Sequence, residues 1–281
     1  MTRPNLVMRA LWSAQARLDR RTVRSRNDIL DARFQRNPQP YLDDINAAID
    51  RGCAWFAPQS DVSMSVLWVA MRSLDRGADP RFAFVREKLA HYRRTIRDPA
   101  LRLFDKAYDP DKEPYKLLPD IMKVRPYYPV ELLMIDTVWA DVRPQPDIVD
   151  RLRAFDDNGG YGTTHIIVGG LILLENGGAP ADAVRALMES TIETIRAAND
   201  RTSYAGDLFA ERIMVLQWLD RHDLVRPAWI LRLLRAQCRD GGWKARNMAP
   251  IGQSNQHTTV IAATVLAEFR TRCLRARGAG A

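Results

Sequence analysis

The sequence predicts an all-α fold, and three observations carry that prediction. Apolar residues recur at helical spacing along most of the chain, and no stretch alternates apolar and polar residues as a half-buried strand would. The helical segments come in pairs, separated by breakers such as Asn37-Pro-Gln-Pro40. A Gly-Gly-aromatic turn followed by a helix with an early histidine occurs at 159–165 and again at 241–257. Such self-similarity indicates stacked helical units that share one core.

The elements follow in order from this pattern. Residues 5–35 form a basic amphipathic segment, with these residues at helical spacing: Leu6, Ala10, Leu11, Ala14 and Leu18. Five helix pairs are predicted next: 41–56 with 61–75, 80–97 with 127–140, 146–155 with 163–175, 181–198 with 205–220, and 226–238 with 255–270. Asp61 is placed as an N-cap. The long insert 98–126 is rich in Pro, Asp, Lys and Tyr, and we expect it to cover a site together with the polar stretch 244–256.

The second helix of each pair is the more apolar one and is richer in small residues, as in Val168-Gly-Gly-Leu-Ile-Leu-Leu174. A helix that is apolar nearly all round is buried on both sides. Gly169 and Gly170 would destabilise an exposed helix, so they are expected where helices crowd closely. The first members, such as 181–198, carry a charged face and fit an outer layer.

One motif adds a family resemblance. Gln237-Cys-Arg-Asp-Gly-Gly-Trp243 resembles the Q-and-W repeat of squalene and terpenoid cyclases and of the protein prenyltransferase β-subunit, and residues 47–59 are similar to the helix that opens such repeats. The resemblance implies an α/α toroid of about five to six helical hairpins around a central cavity. The predicted organisation is a basic helical segment (1–37), the toroid domain (38–272) and a flexible C-terminal tail (273–281).

The composition of the chain indicates which kinds of binding partner to expect. The net charge of +8 comes mostly from arginines that are dispersed among acids, as in an Arg-rich bacterial protein, and no basic stripe is interleaved with aromatics. We therefore expect no nucleic-acid partner. No apolar run is long enough to span a bilayer. Three widely spaced cysteines suggest reduced thiols and a cytoplasmic location. The basic N-terminal helix could contact a membrane surface or a partner protein, although such a segment more often packs on the neighbouring domain.

Polar groups collect at the first turns of the predicted inner helices. If these helices run parallel, their first turns open at one mouth, so the predicted catalytic residues are His165, Asp207, Glu211 and His257. His165, Asp207 and His257 are a ligand set that suits one zinc or iron ion. The same groups without metal could act as general acid and base. A third interpretation is that they only cap or hydrogen-bond at helix ends.

The resemblance bears on this choice of chemistry. Protein prenyltransferases bind zinc through an Asp, a Cys and a His, and Asp207 and His257 match two of these while Phe209 stands in place of the Cys. His165 follows a turn that resembles the region where that family contacts diphosphate. The Asp-rich motifs that cyclases use for protonation or for magnesium diphosphate are absent.

The predicted function is that of an enzyme acting on a small or isoprenoid-like substrate, with prenyl transfer or cyclisation implied by the resemblance alone. The candidate substrate-binding residues are Tyr161, Tyr204, Tyr128, Glu131, Arg212 and Trp243. Two alternatives stay open: a metal-independent hydrolase or lyase that uses paired carboxylates, and a non-catalytic binding module.

Overall fold

The computed structural model describes residues 22–60, 62–77, 79–95, 98–108, 129–245 and 254–278. All regular structure in these ranges is helical, and none of the described residues lies in a strand. The all-α prediction is therefore confirmed. Asp61 and Tyr128 lie outside the described residues, as do residues 1–21 and 109–126 of the predicted N-terminal segment and insert.

The helices follow the predicted pairs closely. They are α1 (22–36), α2 (Gln39–Phe56), α3 (Met64–Asp75), α4 (Val85–Thr95), α5 (Pro129–Trp139), α6 (Ile148–Arg153), α7 (Tyr161–Asn176), α8 (Ala181–Arg201), α9 (Asp207–Trp218), α10 (Pro227–Arg235) and α11 (Gln256–Gly278). Short 3₁₀ segments span Pro80–Phe84, Pro99–Leu103 and His222–Leu224. No described helix is both long and apolar enough to cross a membrane.

The five apolar helices pack side by side in the order α3, α11, α9, α7 and α5. The 3₁₀ segment Pro99–Leu103 contacts both α3 and α5, the two ends of this series. The remaining helices lie against it: α2 and α10 on α11, α8 on α7 and α9, α6 on α5 and α7, and α4 on α3. The more apolar member of each pair is thus flanked on several sides, as its pattern predicts.

Two adjacent glycines in the middle of α7 mark close approaches. A Cβ on Gly169 would lie 2.7 Å from Leu152 Cδ2, and one on Gly170 would lie 2.6 Å from Met188 Sδ. A side chain at either position would require Leu152 or Met188 to shift, so α6 and α8 pack closely against α7 at these glycines. The expectation that these glycines sit where helices crowd is confirmed.

Both ends of the described chain are helical. In α1, Leu30 and Phe34 are buried, and Arg226 at the start of α10 pairs with Asp28 and Asp31 at 2.6 Å each. Residues 22–36 therefore pack on the domain, which is the more common behaviour of such a segment. At the other end α11 continues to Gly278, beyond the predicted start of the tail at 273. The chain contains no glycine or proline between the core of α11 and that residue to stop it earlier.

The turn after α10 ties three helices together. Trp243 has no exposed surface, its Nε1 donates to the Leu233 carbonyl at 2.8 Å, and its backbone N–H donates to Thr259 Oγ1 at 2.9 Å. Gln237 Nε2 donates to the Ala48 carbonyl of α2 at 2.8 Å. Gly241 has a φ of +98° at a point where a Cβ would lie 2.7 Å from the Arg51 carbonyl. The Gln and the Trp of this motif therefore join α10 to α2 and α11.

We expect Trp243→Ala to lower the free energy of unfolding by about 3–5 kcal/mol, because it leaves a cavity and removes a buried hydrogen bond. Trp55→Ala is a matched control, since Trp55 is only partly buried. Urea titrations of both variants, followed by circular dichroism, measure the difference. Equal losses in the two variants would show that the turn does not join the helices as described.

Candidate functional site

Two histidine–carboxylate pairs lie where the first turns of α7, α9 and α11 meet. Asp207 opens α9, and Glu211 follows one turn later on the same face. His165 belongs to the first turns of α7, and His257 is the second residue of α11. The structure thus brings together all four residues that the sequence singles out as catalytic.

Asp207 is the centre of the first pair. Its Oδ1 accepts hydrogen bonds from His257 Nδ1 at 3.0 Å and from Thr258 Oγ1 at 2.9 Å. Its Oδ2 accepts from the Tyr161 hydroxyl at 2.8 Å. The residue is only 8% exposed, so these donors from α7 and α11 take the place of water around the carboxylate.

Glu211 is the centre of the second pair and is 2% exposed. Its Oε1 accepts from Thr164 Oγ1 at 2.6 Å and lies 3.3 Å from His165 Nδ1. The same Nδ1 lies 2.7 Å from the Tyr161 carbonyl oxygen. Glu211 Oε2 is buried, and no described residue donates a hydrogen bond to it.

These contacts fix the tautomer of both imidazoles. An ionised carboxylate and a carbonyl oxygen only accept hydrogen bonds, so Nδ1 carries the hydrogen in His165 and in His257. In the neutral rings Nε2 is then the basic nitrogen. The His165 and His257 side chains are 25% and 35% exposed, whereas the carboxylates behind them are buried. Each pair therefore has a buried carboxyl group behind a ring that is partly open to solvent.

The pKa values of the first pair shift in opposite directions. Burial acts to raise the pKa of Asp207, but the hydrogen bond and charge of His257, with the hydroxyls of Tyr161 and Thr258, outweigh it and lower that pKa. Burial acts to lower the pKa of His257, but its hydrogen bond to Asp207 and the charges of Asp207 and Glu211 raise it. Both shifts favour the charged pair of carboxylate and imidazolium.

Paired threonines beside each histidine are the functional residues that sequence reasoning missed. Thr164 and Thr258 donate to the two carboxylates of α9. Their neighbours Thr163 and Thr259 accept the Gly159 and Trp243 backbone N–H groups at 2.7 and 2.9 Å, which fixes the Gly-Gly turns. The signal was visible as a Thr-Thr dipeptide next to His in both copies, Thr163-Thr164-His165 and His257-Thr258-Thr259.

Arg212 has protein partners. It is 8% exposed, its Nε donates to the Gly159 carbonyl at 2.6 Å, and its Nη1 donates to Thr202 Oγ1 at 2.8 Å. It therefore joins the turn before α7 to the segment before α9, and it positions both helix starts. This contact pattern explains a buried arginine here without a ligand.

The other candidate substrate-binding residues lie in different surroundings. Tyr161 is in the site through its hydroxyl, whereas Trp243 is enclosed in the core. Tyr204 is half-buried three residues before Asp207, and its hydroxyl lies 3.4 Å from the Lys244 carbonyl. Glu131 is half-buried in the first turn of α5.

The described residues contain no group of three or more His, Cys, Asp or Glu side chains that could hold a metal ion. In this arrangement both Asp207 oxygens accept hydrogen bonds, and Nδ1 of each histidine contacts a protein acceptor. The zinc or iron ion stays a prediction from the sequence.

No family model, curated protein or solved structure matches the chain.

We expect Asp207→Asn to lower the pKa of His257, because the substitution removes the charge that stabilises the imidazolium. A histidine ring NMR titration measures this, with the His257 signal assigned from its absence in His257→Gln. Asp182→Asn, an exposed carboxylate on α8, is the control. An unchanged His257 pKa in Asp207→Asn would contradict the pairing.

The two pKa shifts also predict how stability depends on pH. The contribution of Asp207 is present above its ordinary pKa of about 4 and is lost as the pH falls through its lowered folded value. The contribution of His257 is fully present below its ordinary pKa of about 6.5 and is lost as the pH rises through its raised folded value. The stability difference between wild type and Asp207→Asn should therefore be greatest near pH 5–6, within the range between these two ordinary values. Urea titrations at several pH values test this, and a difference that does not vary with pH would contradict it.

Proposed function

We propose that the protein is an enzyme that transfers protons to and from a small substrate through His257 and His165. The observation that carries the proposal is that each imidazole is held through Nδ1 by an acceptor, with a buried carboxylate behind the ring. This arrangement orients Nε2 in both rings, and at His257 the hydrogen bond and charge of Asp207 also raise the pKa, as a general base requires. Either histidine alone would be an ordinary helix-end residue, whereas two pairs at one point favour a site.

The finer architecture we propose is an α/α toroid with α3, α11, α9, α7 and α5 as its inner helices. The order in which these helices pack, and the contact of Pro99–Leu103 with both α3 and α5, support a closed ring. The contacts among the starts of α7, α9 and α11 support a common mouth at which the two pairs lie.

His257 is the stronger candidate for the base. When its Nε2 accepts a proton, the positive charge of the ring is stabilised by Asp207. Asp207 itself stays ionised, because Tyr161 and Thr258 donate to it and its pKa is lowered. His165, held beside Glu211, is positioned to return a proton to the product or leaving group. Such a proton-transfer group contributes about 10²–10⁴-fold to a rate.

The substrate class comes from the sequence resemblance, which favours a small or isoprenoid-like molecule. The alternative hydrolase or lyase would need two carboxylates that face the substrate, whereas Asp207 and Glu211 are 8% and 2% exposed and bonded to histidines. This burial favours the imidazoles as the reacting groups.

Activity measurements test the proposal. We expect His257→Gln to lower kcat/KM by about 10²–10⁴-fold, in any reaction found by screening small carboxylic, phosphoryl and isoprenoid compounds. His91→Gln is the matched control, because His91 is exposed on α4. A general base loses activity as it becomes protonated at low pH. Asp207→Asn, which lowers the pKa of His257, should therefore shift this acid limb of the pH–rate profile to lower pH. Full activity in both His257→Gln and His165→Gln would contradict the proposal and favour a non-catalytic binding module.

Elemental mass spectrometry of protein purified without chelator tests whether the protein binds a metal ion. One equivalent of zinc or iron, lost in His257→Ala and kept in His91→Ala, would replace the proton-transfer proposal with a metal-assisted one.

A further inference from the structure

A groove of about 800 Å³ opens beside the paired site, and most of its charged residues are basic. Its walls come from the segment before α9, the end of α10 with the turn that follows, and α1. The cationic residues that line it are Arg26, Arg232, Arg235, Arg239 and Lys244. Asp240 is the one carboxylate among the lining residues. The groove therefore presents a local excess of positive charge.

These five cations are not neutralised by neighbours. None of them forms an ion pair with a described residue, whereas Arg226, only six residues before Arg232, pairs with Asp28, Asp31 and Asp200. The five cations all line one groove, so their positive charges add there. A cluster of like charges repels itself unless an anion binds between its members.

Arg232 is a lining residue whose position is fixed by packing and hydrogen bonds. It is 7% exposed, its guanidinium lies 4.6 Å above the Phe209 ring, and it donates to the Thr202 carbonyl and to Asn27 Oδ1. Burial and the repulsion from Arg26 lower the pKa of Arg232 to about 10, against the opposing charge of Asp200. The guanidinium is therefore held in place, still positively charged at neutral pH, and without a carboxylate partner.

We propose that this basic groove binds the phosphoryl or pyrophosphoryl group of a soluble small molecule. Guanidinium groups match phosphate oxygens through paired hydrogen bonds, and several cations around one cavity suit an anion of more than one charge. The volume lies within the range of small-molecule sites, about 300–1,000 Å³. The proposal concerns binding alone and does not rest on the proton-transfer chemistry.

The groove adjoins the paired site through one short segment. Tyr204 and Ala205 line the groove, and they precede Asp207 by three and two residues, respectively. Lys244 also lines the groove, and the carbonyl of the next residue, Ala245, accepts the Asp207 backbone N–H at 3.3 Å. A phosphoryl group in the groove would therefore lie next to the backbone that positions Asp207.

Isothermal titration calorimetry of the full chain with inorganic pyrophosphate tests the proposal. Arg235→Gln/Arg239→Gln changes two exposed groove residues and should weaken binding about tenfold or more. Arg93→Gln/Arg94→Gln removes the same charge from exposed positions on α4 and should bind like wild type. His257→Ala should also bind pyrophosphate like wild type, so a failure of the catalytic proposal would leave this one standing.

Two outcomes would overturn the proposal. One is the absence of pyrophosphate binding, or an equal loss in the groove and α4 variants, which would indicate a general effect of net charge. The other is co-sedimentation with phosphatidylglycerol vesicles that depends on Arg235 and Arg239 while pyrophosphate neither binds nor competes. That result would assign the groove to a lipid surface instead.

Discussion

A buried, ionised carboxylate is costly unless the protein replaces the water around it, and Asp207 imposes this constraint on the whole site. Its three hydrogen-bond donors come from the starts of α7 and α11, so the ends of three helices must meet at one point. Glu211 repeats the requirement one turn further along α9. The packing of the apolar helices and the geometry of the polar site are therefore not independent of each other.

Much of the fold could be predicted because its signals are local. Helical periodicity, breakers and small residues such as Gly169 and Gly170 each act within a few positions, and they placed the helix pairs and the crowded apolar helices. The start of α11 and its early histidine also followed from the repeat. The end of α11 did not, because the basic residues after 270 indicate an exposed segment but do not stop a helix.

The site was only partly predictable, since its members meet across long sequence separations. The two histidines and two carboxylates could be grouped by assuming that equivalent helix starts share a mouth. The pairing of His257 with Asp207, and of His165 with Glu211, depends on a few ångströms of helix placement that no residue pattern encodes. The same limit applies to the basic groove, because Arg26 and Arg239 are far apart in the chain and none of the five cations forms a sequence motif.

The two Gly-Gly-aromatic turns use their aromatic residue in different ways. Trp243 closes its turn by filling space, and both of its N–H groups are used inside the protein. Tyr161 holds the equivalent place in the other copy, yet its hydroxyl reaches across to Asp207. The same aromatic position thus serves packing in one copy and holds a buried carboxylate in the other, so a substitution there has different consequences in the two copies.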